Sequence, residues 1–305
     1  MINSLQKTLL TVLFLLFTFA AFGQTNPMPG DDGKTSLDDD KSSDPTSSFK
    51  FGINYLSDNV FMGRSDTAKI PTFAPEVKYT FKNGIFFSGS LYIIPSKAKN
   101  KLDGGNLSGG YNFDITDDLS GSVSYTKLFY SQTSTEIASN VSSTFNANLS
   151  YDIADIITPS LTADYSLNKQ GVTNDFFLTL DISHDFIVSG VFGSDDLLLI
   201  SPTVTANTGT ENFYDAYLIK VKKIRNKKLS AKQTAALDQY TDQLGQFSLL
   251  DEEVSVPIEY KLGYFIFQFT PTYAIVKNQL PKEIETRLAD QPSVFYYEIG
   301  IFLKF

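Results

Sequence analysis

The chain has no cysteine, one histidine (His184) and a charged fraction of only 19% over 305 residues. Without cysteine there is no disulfide framework, no thiolate metal site and no lipidated cysteine at the head of a mature lipoprotein. One histidine and no EF-hand spacing leave only scattered carboxylates as ligands, so neither a metal nor any other cofactor is expected. Beyond residue 23 no stretch reaches 18 uncharged apolar residues, which excludes a helical membrane protein. The formal charge of −9 disfavours nucleic acid as a partner.

Aromatic residues are abundant: 26 Phe and 16 Tyr sit in a chain whose mean hydropathy is −0.09, as happens when apolar and polar residues alternate. At the N-terminus, Lys7, an apolar run from Leu9 to Phe22, and small residues Ala21 and Gly23 before Gln24 read as a cleaved secretory signal peptide over 1–23. Residues 24–48 carry Asp31, Asp32, Asp38, Asp39, Asp40 and Asp44 against Lys34 and Lys41, among Ser, Thr, Pro and Gly. Such a segment cannot bury a core, and a disordered acidic periplasmic tail is expected.

From Phe49 to Phe305 the dominant period is two. Phe49, Phe51, Ile53 and Tyr55 share one face; Phe73, Pro75, Val77, Tyr79 and Phe81 share another, and Asn83-Gly84 then marks a hairpin. Similar runs recur to give about twelve strands, each of about 9–13 residues, the length of a tilted membrane-crossing strand. An open edge in lipid would leave backbone groups unpaired at several kcal/mol each, so membrane strands must close. The expected fold is therefore all-β, a closed antiparallel up-and-down transmembrane barrel of about twelve strands. Connections alternate between short and long, which puts both chain ends on the periplasmic side and a long extracellular loop at 207–252.

Parity assigns a hydrated interior. Ser120, Ser122, Ser124, Thr126, Ser142, Thr144, Asn146, Asn148, Thr158, Ser160, Thr162 and Ser166 face inward, with Glu76, Lys78, Asp152, Asp164, Asp181, Glu259 and Glu298 as charged lumen-lining residues. Carboxylates outnumber amines in that set, so a mild preference for cations is expected. Twelve strands about 4.8 Å apart and tilted about 40° give a backbone radius of roughly 12 Å, room for a passage about 10 Å wide. The competing arrangement is a set of polar groups cross-linked into a plugged interior.

The long loop holds a basic run, Lys220, Lys222, Lys223, Arg225, Lys227 and Lys228, placed to touch lipopolysaccharide phosphates. After it, Ser230 caps a helix through Leu244, closed by Gly245, with Leu237, Tyr240 and Leu244 on one side. Folding into the pore mouth and lying solvated on the surface both fit that pattern. His184 falls near the periplasmic rim and is followed by Asp185 and Phe186, without the serine two residues on that the Ser-His pair of outer-membrane phospholipases would show, so no enzymatic activity is expected.

Tyr297, Ile299, Ile301, Leu303 and Phe305 alternate to a C-terminal Phe. This resembles the signature by which the barrel-assembly machinery recognises outer-membrane barrels. The stretches Leu56-Ser57-Asp58-Asn59-Val60-Phe61-Met62-Gly63-Arg64-Ser65 and Phe269-Thr270-Pro271-Thr272-Tyr273-Ala274 look like segments of small, uncharacterised porin-like proteins of Bacteroidetes. The resemblance implies an outer-membrane location, with lipid and lipopolysaccharide around a barrel inserted by that machinery; the hydrated interior makes a passive channel for small polar solutes the expected function. A non-conducting barrel that displays its loops or stabilises the membrane is the alternative.

Overall fold

The computed structural model describes residues 46–65, 69–95, 101–134, 136–169, 171–215, 217–218, 230–277, 279 and 292–305. The signal peptide, nearly all of the acidic tail and the basic run Lys220, Lys222, Lys223, Arg225, Lys227 and Lys228 lie outside them.

The strands are β1 (Ser48–Leu56), β2 (Val60–Phe61), β3 (Arg64–Ser65), β4 (Thr72–Thr80), β5 (Ile85–Ile94), β6 (Lys101–Asp114), β7 (Leu119–Tyr130), β8 (Val141–Tyr151), β9 (Thr158–Asn168), β10 (Asp175–Ser183), β11 (Phe186–Ser189), β12 (Asp196–Ile200), β13 (Thr203–Gly209), β14 (Ser248–Ser255), β15 (Ile258–Leu262), β16 (Phe265–Val276) and β17 (Ser293–Lys304). A 3-10 turn spans Ile137–Asn140, and helix α1 spans Ala231–Leu244.

Twelve strands pair antiparallel in a ring: β1, β4, β5, β6, β7, β8, β9, β10, β13, β14, β16 and β17, with β17 returning to β1 through Lys50–Lys304 to Leu56–Glu298. Closure is what the backbone demands, since no strand of the ring keeps an unpaired edge through the wall. The β2–β3 hairpin stands apart, in the loop after β1. Between β4 and β5 the turn uses Gly84 at φ 87°, a conformation that costs glycine little and other residues more.

Three adjacent crossings are broken at one level. β10 and β11 are parted at His184-Asp185, β13 and β12 at Ser201-Pro202, and β14 and β15 at Val256-Pro257. The sequence pattern runs through all three breaks, because side-chain parity survives them; Pro202 and Pro257 break the ladder because they have no N–H to donate. Their carbonyls remain in use, accepting from His184 N–H at 3.3 Å and Ser201 N–H at 2.8 Å. Below the break, β11, β12 and β15 form a strip that hangs from β16.

The outer face is apolar and exposed. On β1, Ile53 lies between Phe49 and Phe51 at one end and Tyr55 at the other; Leu107, Val123, Leu149, Leu161, Leu180 and Val204 occupy the middle of the other walls. Rings gather at both ends: Phe49, Phe51, Phe305 and Tyr264 in one chain of contacts, and Phe73, Tyr55, Tyr297 and Phe269 in another. An aliphatic middle between two aromatic bands is the profile that matches hydrocarbon bounded by two interfaces.

Candidate functional site

The inner face is polar and bonded along the wall. Ser108 and Thr126 lie 2.6 Å apart, Thr144 and Ser166 2.9 Å, and Asn146 donates to Asp164 at 2.9 Å. Asn148 donates to Ser160 and Thr162, Thr205 to Asp181 at 2.6 Å, and Gln268 to Glu259 at 2.7 Å. Each of these bonds joins neighbouring strands, so each satisfies a side chain without bridging the lumen. Ser88, Ser90, Asn106, Ser124, Thr179 and Thr270 stay half-buried on the same face.

Of the charged residues assigned to the lumen, Glu76, Lys78, Asp164, Asp181, Glu259 and Glu298 take inward positions on β4, β9, β10, β15 and β17. Asp152 does not. β8 ends at Tyr151, and Asp152 belongs to the turn, where its carboxylate accepts from Asp155 N–H at 2.8 Å; alternation had been carried one residue past the strand. Ser142 also leaves the pattern, because the β8–β9 register shifts between Val141 and Ser143, and its hydroxyl donates to the Leu167 carbonyl. Inward residues that the sequence reading passed over are Lys50, Asp251, Glu253, Lys261 and Lys304, all detectable by the same alternation.

The mouth on the side of the long loops is different in kind. There the inner face turns apolar, through Leu128, Phe177 and Leu250, and these pack with Phe61, Met62, Ile137, Phe213, Tyr214, Leu237, Tyr240 and Leu244 from three loops. Phe61, from the loop between the first and second strands of the ring, sits 4.8 Å from Phe213 and 5.7 Å from Phe177 on the eighth. That contact crosses the barrel. The insertion runs from after Gly209 to Ser248, somewhat shorter than the expected 207–252.

Local sequence explains α1. Ser230 accepts from Gln233 N–H while Gln233 reaches back to Ser230 N–H, a reciprocal cap contributing about 1 kcal/mol. A helix of this length is marginal alone, so burial of Leu237, Tyr240 and Leu244 in the plug is what holds it. Of the two positions left open by the sequence, the buried one is observed.

Arg64 locks this plug. Its side chain is 1% exposed; Nε donates to Glu211 at 2.9 Å, Nη2 to the Tyr240 hydroxyl at 2.7 Å, and the guanidinium lies 4.4 Å from the Tyr214 ring centroid. Gly63, at φ 72°, lets the hairpin approach β14: a Cβ there would come within 2.7 Å of Asp251. Asp175, fully buried at the top of β10, ties the insertion down by accepting from Asn168, Thr210, Phe213 N–H and both Asn212 N–H and its side-chain amide. No sequence pattern linked Arg64 to Glu211 or Asp175 to the insertion; only the fold brings them together.

His184 stands at the strand break, its Nδ1 against the Ile156 carbonyl and its ring edge-on to Phe186 at 4.2 Å. Neighbouring Asp185 accepts instead from Ser201. Among the described residues no group of three or more His, Cys, Asp or Glu is arranged to hold a metal.

No protein-family model matches the chain, and no curated protein does. Among solved structures it is similar to "KdgM porin", at 10% identity with a TM-score of 0.44 over 85% of this chain and 99% of that one. It is also similar to a NanC porin (11%, 0.41, 85% and 100%) and to LpxR from Salmonella typhimurium (10%, 0.40, 84% and 99%). Likeness this distant transfers neither an activity nor a ligand to the chain.

Proposed function

We propose that the chain is an outer-membrane, porin-like barrel whose interior is a water-filled vestibule for small polar solutes, with the outer mouth constricted by its own folded loops. The observation that carries this is the exposed apolar outer face of the crossings set against an inner wall that, on β7 to β10 and β13, is Ser, Thr, Asn and Asp bonded strand to strand. An aliphatic band bounded by aromatics belongs in lipid, and the Ser, Thr, Asn and Asp wall belongs in water. Export through the 1–23 leader, insertion by the barrel-assembly machinery through the Tyr297–Phe305 signature, and lipopolysaccharide contact by the Lys220–Lys228 run complete the reading. Residence in a Bacteroidetes cell rests on the sequence resemblance alone. No catalytic role is proposed.

The contact of Phe61 with Phe177 across the mouth favours a second reading, a non-conducting barrel that presents its outer loops. Single-channel recording decides between them. The porin-like reading expects small, discrete conductance steps from the native protein and larger ones once the plug is loosened. Silence in both, from protein shown to be folded, would assign the chain to the loop-presenting class.

A further inference from the structure

One strand of the sheet keeps an open edge. β9 begins at Thr158, paired with Ser183 on β10, and turns back to β8 at Ile157. β11 carries the β10 crossing onward past that turn, so among the described residues no strand lies on its β9 side. Its other side pairs with β12, from Phe186–Ile200 to Ser189–Leu197. In an antiparallel ladder successive residues send their backbone bonds to opposite sides. His184 N–H donates to the Pro202 carbonyl and Gly190 N–H to that of Asp196, so Phe186 and Val188 bond toward β12, while the N–H and C=O of Ile187 and Ser189 point to the free edge.

That edge is undefended. Natural edges discourage pairing with lysine, proline, a bulge or a covering loop. Phe186-Ile187-Val188-Ser189 has neither lysine nor proline, and all four residues are exposed, Ile187 at 62% and Phe186 at 52%. Phe186 and Val188 share one face and Ile187 takes the other, so a strand laid alongside meets apolar side chains on both. Acyl chains cannot satisfy the free N–H and C=O groups. Nor does a second barrel in the same membrane suit them: strands tilted about 40° to a common normal cross at about 80° after a two-fold rotation, far from antiparallel. Charge narrows the partner further. The adjacent turns 114–118, 152–157 and 190–195 contain no Lys or Arg, and Asp117, Asp118 and Asp195 stand exposed in them.

We infer that β11 accepts an added strand: an extended segment of another protein, apolar at its centre and flanked by Lys or Arg, pairing with Ile187 and Ser189 at the end of the barrel that carries the chain termini. On the reading proposed above that end faces the periplasm. The inference stands whether or not the lumen conducts.

The test is fluorescence anisotropy of a dye-labelled synthetic peptide, alternating Val and Thr between two lysine pairs, titrated with the full-length folded chain in detergent at low salt. Saturable binding is expected, and it should weaken several-fold in about 0.15 M salt, where exposed charges are screened beyond about 8 Å. The same peptide N-methylated across its centre keeps its charges and side chains but loses its N–H donors, and should bind at least about tenfold more weakly. Ile187→Pro removes one edge donor and should weaken the parent peptide in protein that still runs as a heat-modifiable band; if that variant does not fold, the N-methylated peptide still decides. Asp117→Asn, Asp118→Asn and Asp195→Asn together should cost at least about threefold, whereas Glu252→Gln, beside Lys277 at the opposite end of the barrel, should leave binding within about twofold. Absence of saturable binding, or equal binding of the N-methylated peptide, overturns strand addition. Unchanged binding in the triple Asn variant overturns the basic partner, and a native dimer that the peptide does not dissociate would assign the edge to a second copy and overturn the inference.

Discussion

Replacing Arg64 with alanine is the sharpest probe of the plug. The substitution removes the bond to Glu211 at 2.9 Å, the bond to Tyr240 at 2.7 Å and the stacking over Tyr214, and it takes the guanidinium away from a Glu211 carboxylate that is only 1% exposed. An exposed ion pair is worth about 0–1 kcal/mol, but removing one member of a buried pair costs about 3–5 kcal/mol because the charge that remains is buried with less to offset its lost hydration. The rest of the barrel wall does not depend on this pair, so the loss should fall on the plug and raise its opened population by about two to three and a half powers of ten. Limited proteolysis of the folded protein should then cut within the β13–β14 insertion while the strands stay protected, and single-channel steps should grow. Arg64→Met with Glu211→Leu removes both charges and should recover much of the resistance. Native-like protease resistance and conductance in Arg64→Ala would refute the argument that this pair holds the mouth shut.

Arginine in place of Leu149 or Leu161, outward partners on β8 and β9, puts charge toward lipid at about 2–4 kcal/mol and should impair insertion, whereas arginine at inward Thr162 should not; equal heat-modifiable yields from both faces would mean that the faces are reversed. A charged residue at Phe305, which stacks on Tyr264 at 5.0 Å and on Phe51 at 6.3 Å, should sharply lower the amount of barrel in the membrane fraction, and normal levels would discredit the assembly signature. Asp175→Ala leaves several donors unsatisfied and should destabilise the insertion by more than about 3 kcal/mol, seen as a lower temperature for the first step of protease sensitivity; an unchanged temperature would count against its anchoring role. Asp164→Asn with Asp181→Asn should shift the reversal potential in a salt gradient away from cation preference, and an unchanged potential would remove the wall carboxylates from selectivity.

The barrel was readable because its signal is local and repeated. Each wall writes its own inside and outside in alternate residues, so Glu76, Asp164 and Asp181 could be assigned to a face with no knowledge of their neighbours. Errors arose where alternation stops or slips: at Asp152, one residue into a turn, and at Ser142, on a bulge. The prolines at 202 and 257 divided strands that parity alone joins. The plug was illegible for another reason. Arg64 and Glu211 stand 147 residues apart, and Phe61 meets Phe177 only because the strands from the second of the ring to the eighth have curved through half a turn. Charge, aromaticity and helix caps were visible at each position, but their meeting is a property of the closed cylinder.

The seam between β1 and β17 sets an order in time. Phe49 and Phe305 exchange both backbone hydrogen bonds, and the Ser57 hydroxyl accepts from Tyr297 N–H across 240 residues, so the first strand keeps an open edge until the last one arrives. Every other neighbouring pair is joined by a connection of tens of residues or fewer, and can zip as the chain is delivered. Closure is therefore the slow, entropically costly event, and it is deferred to the final residues. The loop that carries Phe61 and Arg64 is made early, yet its partners on the opposite wall come more than a hundred residues later. The mouth can be stoppered only after most of the wall exists, so a chain halted before β10 would have neither Glu211 and Tyr240 to receive Arg64 nor Phe177 to receive Phe61, and would stay open.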